Sequence, residues 1–274
     1  PCREFEKKFT PPPSEPAPGT RDIPADTQKD ACRAEGTVDI SAPPKQPERP
    51  REMGTLSVGY HYVGPMTFQD SRGVWGRNTV VDPNIPHVVS PPNERFVAER
   101  VYASDISGNR WMEAGWAEVS WRDDQQYIYL MWQSDSVPYS WIFFGEYALA
   151  PGTTVETDVQ YDPNLSMWKA RYYLGGGYWR VLGTADLGFN IADRGYNRGE
   201  VYTADGVHPI LPLSGFDKGY LLIDGVWRLW DDRYSAQTRV DADPPYQVDM
   251  ISQFYRFNIY SPVVFIPLVL KNAQ

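Results

Sequence analysis

A carboxylate stands in the middle of an aromatic stretch at residues 109–121, NRWMEAGWAEVSW. If this stretch is a β-strand, its side chains alternate between two faces, and Glu113 shares its face with the indoles of Trp111 and Trp121. An ionised carboxylate on such a face is costly unless a partner pairs with it. Carboxyl groups in these places tend to have raised pKa values and functional roles. Glu113 is therefore a candidate catalytic residue.

A second carboxylate of this kind is Glu200, in NRGEVYTADG at residues 197–206. Strand alternation puts Arg198, Glu200 and Tyr202 on one face. Two carboxyl groups that face one cleft cannot both ionise cheaply, so they share a proton and titrate as a coupled unit. One group can then act as a base towards water and the other as an acid. Such a pair supports amide hydrolysis at low pH and, on a jelly roll, glycoside hydrolysis equally well.

The sequence offers little support for other kinds of catalysis. Its three histidines, His61, His87 and His208, are scattered, and neither HExxH nor CxxC is present, so no metal site is predicted. No G-x-S-x-G occurs, and no phosphate-binding glycine loop precedes a helix. We therefore expect no cofactor. The two cysteines, Cys2 and Cys32, are a candidate disulfide, which requires an oxidising compartment.

Many short apolar or alternating runs, separated by clusters of Gly, Pro, Asp and Asn, follow one another from residue 54 onward. No segment keeps a 3.6-residue apolar period over the length of a helix. The predicted strands lie near residues 55–63, 73–81, 95–104, 110–121, 125–133, 138–149, 154–162, 166–174, 177–183, 198–204, 218–224, 226–230, 246–260 and 262–269. This layout predicts an all-β fold, an antiparallel β-sandwich or jelly roll.

Residues 1–53 differ from the rest of the chain. They contain 11 of the 25 prolines and almost no aromatic residues, so they cannot form a core of their own. We interpret them as an extended Pro-rich N-terminal segment, either propeptide-like or an assembly strap, ahead of a β-sandwich domain at residues 54–274. Because the chain begins with Pro1 and not with Met, the sequence indicates a processed or fragmentary form.

Charge and hydropathy argue against two classes of partner. The net charge is −9 and the pI is near 4.9, so the chain lacks the basic character that nucleic acids or anionic membranes would require. The longest apolar run, residues 262–270, is too short for a membrane-spanning helix and contains two prolines. We therefore expect no nucleic-acid partner and no membrane span.

Several short motifs, in the same order along the chain, resemble the neprosin peptidase domain. PNE at residues 92–94 is followed by EAGW at residues 113–116, which is similar to the family's Ile-Glu-Ala-Gly-Trp stretch. QYIYLMWQSD at residues 126–135 resembles the strand that comes next, and NRGEVYTADG resembles the family's Gly-Gly-Glu-Val stretch. CRAEGTVDI at residues 32–40 resembles the Cys-Pro-x-Gly-Thr-Val-Pro-Ile motif of the family's activation segment. The resemblance extends over about residues 30–260.

This resemblance implies a β-sandwich of the glutamic-peptidase type and a secreted endopeptidase that cleaves at acidic pH, typically after proline, with a glutamate pair and no cofactor. Glu113 and Glu200 lie at the motif positions of that pair. Glu113 is expected to be the general base and Glu200 the partner that starts protonated, although the shared proton allows the roles to be reversed. Residues 1–53 would then correspond to a propeptide that lies across the domain until it is removed.

The sequence departs from the neprosin pattern near the pair. Glu99 stands where the family tends to have Gln, which would add a carboxylate to the cleft and remove an amide donor for the oxyanion. Arg198 places a bulky cation two residues before Glu200. The residues expected to bind substrate are Glu99, Trp116, Tyr129, Trp132 and Tyr202.

Two other classes of function fit the same sequence. A non-catalytic extracellular structural protein would use its N-terminal segment and the C-terminal SPVVFIPLVLKN for strand exchange, which would give a homo-oligomer or a filament. A carbohydrate-active or carbohydrate-binding sandwich would account for the aromatic residues and the carboxylates. Two carboxyl groups close enough to share a proton or one water would favour the peptidase. A glutamate buried against an arginine with no room for water would count against it.

Overall fold

The computed structural model describes residues 22–23, 58–88, 94–135, 140–147 and 149–262. The described chain is almost entirely antiparallel β-sheet, and two sheets pack into a sandwich, which confirms the predicted fold class. A short 3-10 helix spans Asp232–Gln237, and no helix in the described ranges is long and apolar enough to cross a membrane. Cys2, Cys32 and the C-terminal run beyond residue 262 lie outside the described residues, so their pairing and strand exchange stay predictions.

The described part of the chain forms sixteen strands. In chain order they are β1 (Asp22–Ile23), β2 (Gly59–Thr67), β3 (Gly73–Thr79), β4 (Arg95–Ser104), β5 (Trp111–Val119), β6 (Tyr127–Gln133), β7 (Ser140–Phe144), β8 (Thr154–Asp162), β9 (Met167–Gly175), β10 (Tyr178–Ala185), β11 (Arg194–Thr203), β12 (Ser214–Ile223), β13 (Val226–Leu229), β14 (Thr238–Ala242), β15 (Gln247–Ser252) and β16 (Arg256–Tyr260).

The order of the strands brings distant parts of the chain together. The nine-stranded sheet has the order β1-β10-β9-β8-β3-β12-β16-β15, with β13 paired to β12. The seven-stranded sheet has the order β14-β2-β11-β4-β5-β6-β7. In the seven-stranded sheet β4 lies between β11 and β5 and is antiparallel to both. The strands that carry Glu113 and Glu200 therefore flank one central strand.

Both faces of the seven-stranded sheet are apolar. Its inner face packs against the nine-stranded sheet and forms the main core, to which Val101 and Trp116 belong. Its outer face carries a second, largely aromatic cluster, which we call the outer aromatic cluster. Its buried members are Met66, Phe96, Ala98, Tyr102, Trp111, Ala117, Val119, Tyr129, Met131, Trp141, Phe143, Tyr196 and Tyr202. Every residue of β5 is buried as a result, including the carboxylate of Glu113.

Most strands lie where alternation predicts them, and three regions differ. Strand β1 lies in the N-terminal segment, where no strand was predicted. The predicted strand at residues 246–260 is the hairpin of β15 and β16, because the chain turns back near Phe254. Strand β14 was not predicted, since its residues TRVDA are mostly polar and it lies at the edge of its sheet, where one side of the strand needs no partner. Gly176 and Gly177 form the turn between β9 and β10.

Candidate active site

A single arginine joins the two predicted glutamates. Arg100 on β4 lies between Glu113 on β5 and Glu200 on β11. Its Nε is 2.6 Å from Oε2 of Glu113, and its Nη1 is 2.5 Å from Oε2 of Glu200. The three side chains leave neighbouring strands on the same side of the sheet, which is why they meet. The structure thus assembles both glutamates at one site and adds a cation that the sequence analysis did not assign to it.

Burial controls the ionisation of this group. The exposed fraction of each of the three side chains is only 3–5%. Burial raises the pKa of Glu113, Arg100 opposes this effect and Glu200 adds to it, so that the pKa of Glu113 is about 7. Burial alone would lower the pKa of Arg100, but Glu113 and Glu200 outweigh it and raise that pKa, so the guanidinium stays charged. Glu113 is therefore able to hold a proton at acidic pH beside a permanent cation.

The two glutamates differ in how their oxygens are engaged. Oε2 of Glu113 contacts Arg100, and Oε1 accepts a hydrogen bond of 2.9 Å from the hydroxyl of Tyr129. Oε1 of Glu200 makes no hydrogen bond or ion pair with any residue in the described part of the chain. A cavity of about 20 Å³ lies beside the group, which is enough space for one water molecule. Glu200 is thus the glutamate with an oxygen free to bind that water.

Aromatic side chains enclose the cavity. Besides the three charged residues, it is lined by Tyr60, Phe96, Tyr102, Trp111, Met131 and Trp141. Tyr202 packs behind this lining, with its ring 4.8 Å from that of Tyr60 and 5.6 Å from that of Phe96. Tyr129 stacks on Trp141 at 5.1 Å. Two predicted substrate-binding residues, Tyr129 and Tyr202, therefore belong to the same face as the glutamates.

The other three predicted substrate-binding residues lie on the opposite face. Glu99, Trp116 and Trp132 belong to or pack against the core between the sheets. The reason is the two-residue period of a strand: Glu99 directly precedes Arg100, and Trp116 follows Glu113 by three residues. The expectation that Glu99 adds a third carboxylate to the cleft is thus corrected, because its side chain points away from the cavity.

The hydrogen bonds around Glu99 indicate a protonated carboxyl group. The Ser214 hydroxyl oxygen lies 2.8 Å from the carbonyl oxygen of Thr79 and 2.8 Å from Oε2 of Glu99. The single hydroxyl proton can serve only one of these contacts, and the carbonyl can only accept. Both contacts are satisfied when Ser214 donates to Thr79 and Glu99 donates to Ser214. Burial, opposed by the bonds to Ser214 and Trp116, correspondingly raises the pKa of Glu99 to about 8.

Arg198 is held away from the glutamate pair by other partners. Its guanidinium lies over the rings of Tyr62 and Tyr196, at 4.0 and 3.8 Å from their centres. Its Nη1 is 2.8 Å from Oδ2 of Asp241, on the unpredicted strand β14. The charge of Arg198 is therefore balanced by Asp241, and Arg100 is the cation that contacts the glutamates.

The glycine of the EAGW stretch fixes the separation of the two strands under the site. A Cβ atom on Gly115 would lie 2.0 Å from the carbonyl oxygen of Glu99 and 2.8 Å from Cα of Arg100. Both are backbone atoms of β4, so they cannot move aside without displacing the strand that carries Arg100. The absence of a side chain at Gly115 thus allows Glu113 and Arg100 to approach each other.

We expect Gly115→Ala to lower the free energy of unfolding by about 3 kcal/mol or more, because the added methyl group pushes β4 and β5 apart. Gly199→Ala is the matched control, since its Cβ would clash only with the tip of Ile259, which can rotate. Its cost should be about 1 kcal/mol. Urea unfolding of both variants measures the difference. Equal costs would contradict the strand-spacing role of Gly115.

Within the described ranges, no group of three or more His, Cys, Asp or Glu residues is arranged to hold a metal. His61 and His208 pack edge to face with ring centres 4.5 Å apart, and burial, reinforced by His61, lowers the pKa of His208 to about 4. His87 contacts the carbonyl oxygen of Arg122. The histidines are thus engaged in packing and local hydrogen bonding.

Comparison with known proteins identifies the fold. No known family model and no curated protein matches the sequence. A crystal structure of scytalido-glutamic peptidase with a peptide-based transition-state analog matches with a TM-score of 0.53 at 10% identity, covering 75% of this chain and 100% of that chain. A second structure of scytalido-glutamic peptidase, with a transition-state analog inhibitor, matches with a TM-score of 0.50 at 11% identity and the same coverage.

At this level of identity the likeness establishes the fold and not the activity. The chain therefore has the β-sandwich fold of the glutamic peptidases. The finer resemblance to neprosin peptidases stays a prediction, as do the proline preference and secretion.

Proposed function

We propose that this protein is a glutamic endopeptidase that hydrolyses peptide bonds at acidic pH. The observation that carries the proposal is the buried group of Glu113, Arg100 and Glu200 beside a cavity of about 20 Å³, which is large enough for one water. The glutamic-peptidase fold supports it, because the same fold is used by peptidases. The raised pKa of Glu113, about 7, supports a pair in which one member is protonated and the other ionised at acidic pH.

The hydrogen bonds favour the reverse of the roles that the sequence analysis placed first. Glu200 would be the general base, because its Oε1 is free to accept a hydrogen bond from the water. Glu113 would be the general acid, because its pKa of about 7 lets it keep a proton at acidic pH. Tyr129 and Arg100 would hold Glu113 in place.

Glu200 and Glu113 account for every proton transfer in the proposed reaction. The water oxygen attacks the carbonyl carbon of the substrate while Glu200 takes a proton from the water. The proton of Glu113 passes to the leaving nitrogen as the carbon–nitrogen bond breaks. The products are a carboxylic acid and an amine. Transfer of the proton from Glu200 to Glu113, through water, restores the starting state.

The small size of the cavity limits the access of substrate to the glutamates. About 20 Å³ accommodates a water but not a peptide, so the aromatic lining must open before a substrate reaches the glutamates. We propose that the Pro-rich residues 1–53 act as a propeptide, whose removal precedes activity. The rings of Tyr60, Phe96 and Trp141 would then be available to stack on an apolar or proline side chain of the substrate.

The test is cleavage of a pool of proline-containing peptides between about pH 3 and pH 8. The full chain is compared before and after limited proteolysis of the N-terminal segment, and products are identified by mass spectrometry. We expect cleavage at acidic pH that increases after the segment is removed. The double variant Glu113→Gln/Glu200→Gln controls for contaminating peptidases. Equal cleavage by the double variant would contradict the proposal.

A second candidate is a non-catalytic sandwich, as the sequence analysis also allowed. The observation that favours it is the ion pairing of both glutamates with Arg100 in a closed, buried site, which is also a purely structural arrangement. In that case no peptide would be cleaved at any pH. Light scattering and electron microscopy of concentrated protein would then show oligomers or filaments, whereas an inactive monomer would exclude this candidate too.

A further inference from the structure

Arg100 has one nitrogen that the glutamates do not use. Its Nε contacts Glu113 and its Nη1 contacts Glu200, whereas Nη2 makes no hydrogen bond or ion pair with any residue that the structure describes. Arg100 also lines the cavity in which we place the attacking water. A planar guanidinium carries five N–H groups in a fixed fork, so the N–H groups of Nη2 lie in the same plane as the two nitrogens that form ion-pair contacts with the glutamates.

Hydrolysis of an amide places a negative charge on the carbonyl oxygen in the tetrahedral intermediate, and stabilising that charge is usually the largest single contribution to catalysis. Neither glutamate supplies it, because Glu200 acts as the base and only accepts hydrogen bonds, and the proton of Glu113 passes to the leaving nitrogen. Among the residues that line the cavity, Arg100 is the cation. Arg198, two residues before Glu200 on the same face of β11, is already paired with Asp241.

We propose that Arg100 is a third catalytic residue, whose guanidinium binds the carbonyl oxygen of the scissile bond and the oxyanion that forms on it. This inference rests on the proposed function and adds to it the group that stabilises the transition state. The proposal assigns a chemical role to the one charged residue of the site that neither the sequence motifs nor the glutamate pair accounts for.

The charges support this role. As the proposed base, Glu200 carries the negative charge that pairs with Arg100 before attack. When Glu200 takes a proton from the water it becomes neutral, and at the same time a negative charge appears on the substrate oxygen. Arg100 then exchanges one anionic partner for another, so the buried site never holds an unpaired charge. A cation held beforehand by contacts with both glutamates needs little reorganisation to do this.

The test is Arg100→Gln, which keeps hydrogen-bond donors but removes the charge. In the proteolytically activated protein we expect kcat to fall about 10²- to 10³-fold with KM changed less than about threefold, because the interaction forms only in the transition state. Arg100→Lys should recover part of the loss, since it restores the charge without the fork. Arg171→Gln is the matched control, since Arg171 is a buried arginine paired with Asp158 on the other sheet, and its kcat should stay near that of the wild type.

A binding measurement provides a readout that does not depend on turnover. A peptide phosphinate, which mimics the tetrahedral oxyanion, should bind Arg100→Gln about 100-fold more weakly than wild type, whereas the uncleaved parent peptide should bind both equally. If Arg100→Gln does not fold, as judged by circular dichroism, Arg100→Lys decides: kcat and phosphinate affinity equal to wild type would overturn the proposal.

The outcomes separate this inference from the proposed function. Glu200→Gln could be inactive while Arg100→Gln is as active as wild type or more active. Arg100 would then only form ion pairs with the glutamates and would not bind the oxyanion, and the inference alone would be overturned. If the folded, activated wild-type protein cleaves nothing, the proposed function and the inference fall together. A loss of kcat and of phosphinate affinity in Arg100→Gln, with Arg171→Gln unaffected, supports both.

Discussion

Glu200→Gln is expected to lower kcat/KM for peptide cleavage at about pH 5 by about 10³- to 10⁴-fold, because an amide cannot take the proton of the attacking water. The substitution is nearly isosteric, and the amide oxygen can still lie against Nη1 of Arg100, so the site should keep its shape. KM should change little. A stopped assay with a single peptide, at substrate concentrations well below KM, measures the effect.

The partner variant, Glu113→Gln, distinguishes the two roles through the pH profile. The proposed acid must be protonated to act, so wild-type kcat/KM should be high below pH 7 and fall as the pH rises through about 7, where Glu113 loses its proton. The residual activity of Glu113→Gln should lack this fall, because an amide does not titrate in that range. Glu118→Gln, on the same strand but on the inner face, should keep both the rate and the profile of wild type.

The roles would be reversed if wild-type activity increased through pH 7, since Glu113 would then act in its ionised form. The glutamate pair would be excluded altogether if both single variants retained wild-type rates. We expect both single variants to lose activity, and the fall in kcat/KM near pH 7 to be absent only in Glu113→Gln, because of the contacts that Glu113 makes in the site.

The glutamates could be found from sequence because a charged residue interrupts an otherwise apolar face. The same rule could have identified Arg100, which alternates with Phe96, Ala98 and Tyr102 on the outer face of β4. The resemblance to neprosin peptidases pointed instead to Glu99, the neighbour of Arg100, as a residue of the cleft. Alternation fixes the face of a residue but gives no information on which of two faces lines the site.

The fold was largely predictable because alternation and turn residues are local signals. What sequence could not supply was the strand order, since the position of β4 between β5 and β11 depends on pairing between distant segments. That order is what makes Glu113, Arg100 and Glu200 neighbours. The burial of both faces of the seven-stranded sheet could not be predicted either, because the sequence pattern of an apolar outer face is the same as that of an inner face.

The second large effect is that of Glu99→Gln on the free energy of unfolding: the variant should be less stable than wild type at low pH and more stable at high pH. Glu99 is fully buried, and its described partners, Ser214 and Trp116, are neutral. Its pKa is about 8 in the folded protein, against an ordinary value of 4.5. Because the folded-state pKa is the higher one, the stability from this proton is fully present below about pH 4.5 and is lost as the pH rises to about 8. The loss amounts to roughly 4 kcal/mol.

Glu99→Gln removes this dependence, since an amide has no proton to lose in that range. At about pH 4 the variant should be about 1 kcal/mol less stable than wild type, because one amide atom cannot both donate to Ser214 and accept from Trp116. At about pH 8 it should be more stable by a few kcal/mol. Urea unfolding at intervals across this range measures both values and the crossover between them.

In wild type the free energy of unfolding should fall with pH at a slope that corresponds to about one extra proton bound by the folded state. Glu99→Gln should lack this contribution. Glu118→Gln is the comparison variant: burial also raises the pKa of Glu118, but hydrogen bonds from the backbone N–H of Ile85 and the amide of Gln126 oppose this, so its effect on the slope should be smaller. Curves for Glu99→Gln and wild type that run parallel from about pH 4 to pH 8 would mean that the folded protein holds no proton on Glu99. A crossover would instead show a sandwich whose core is built for acidic conditions, the same conditions in which Glu113 can act as an acid.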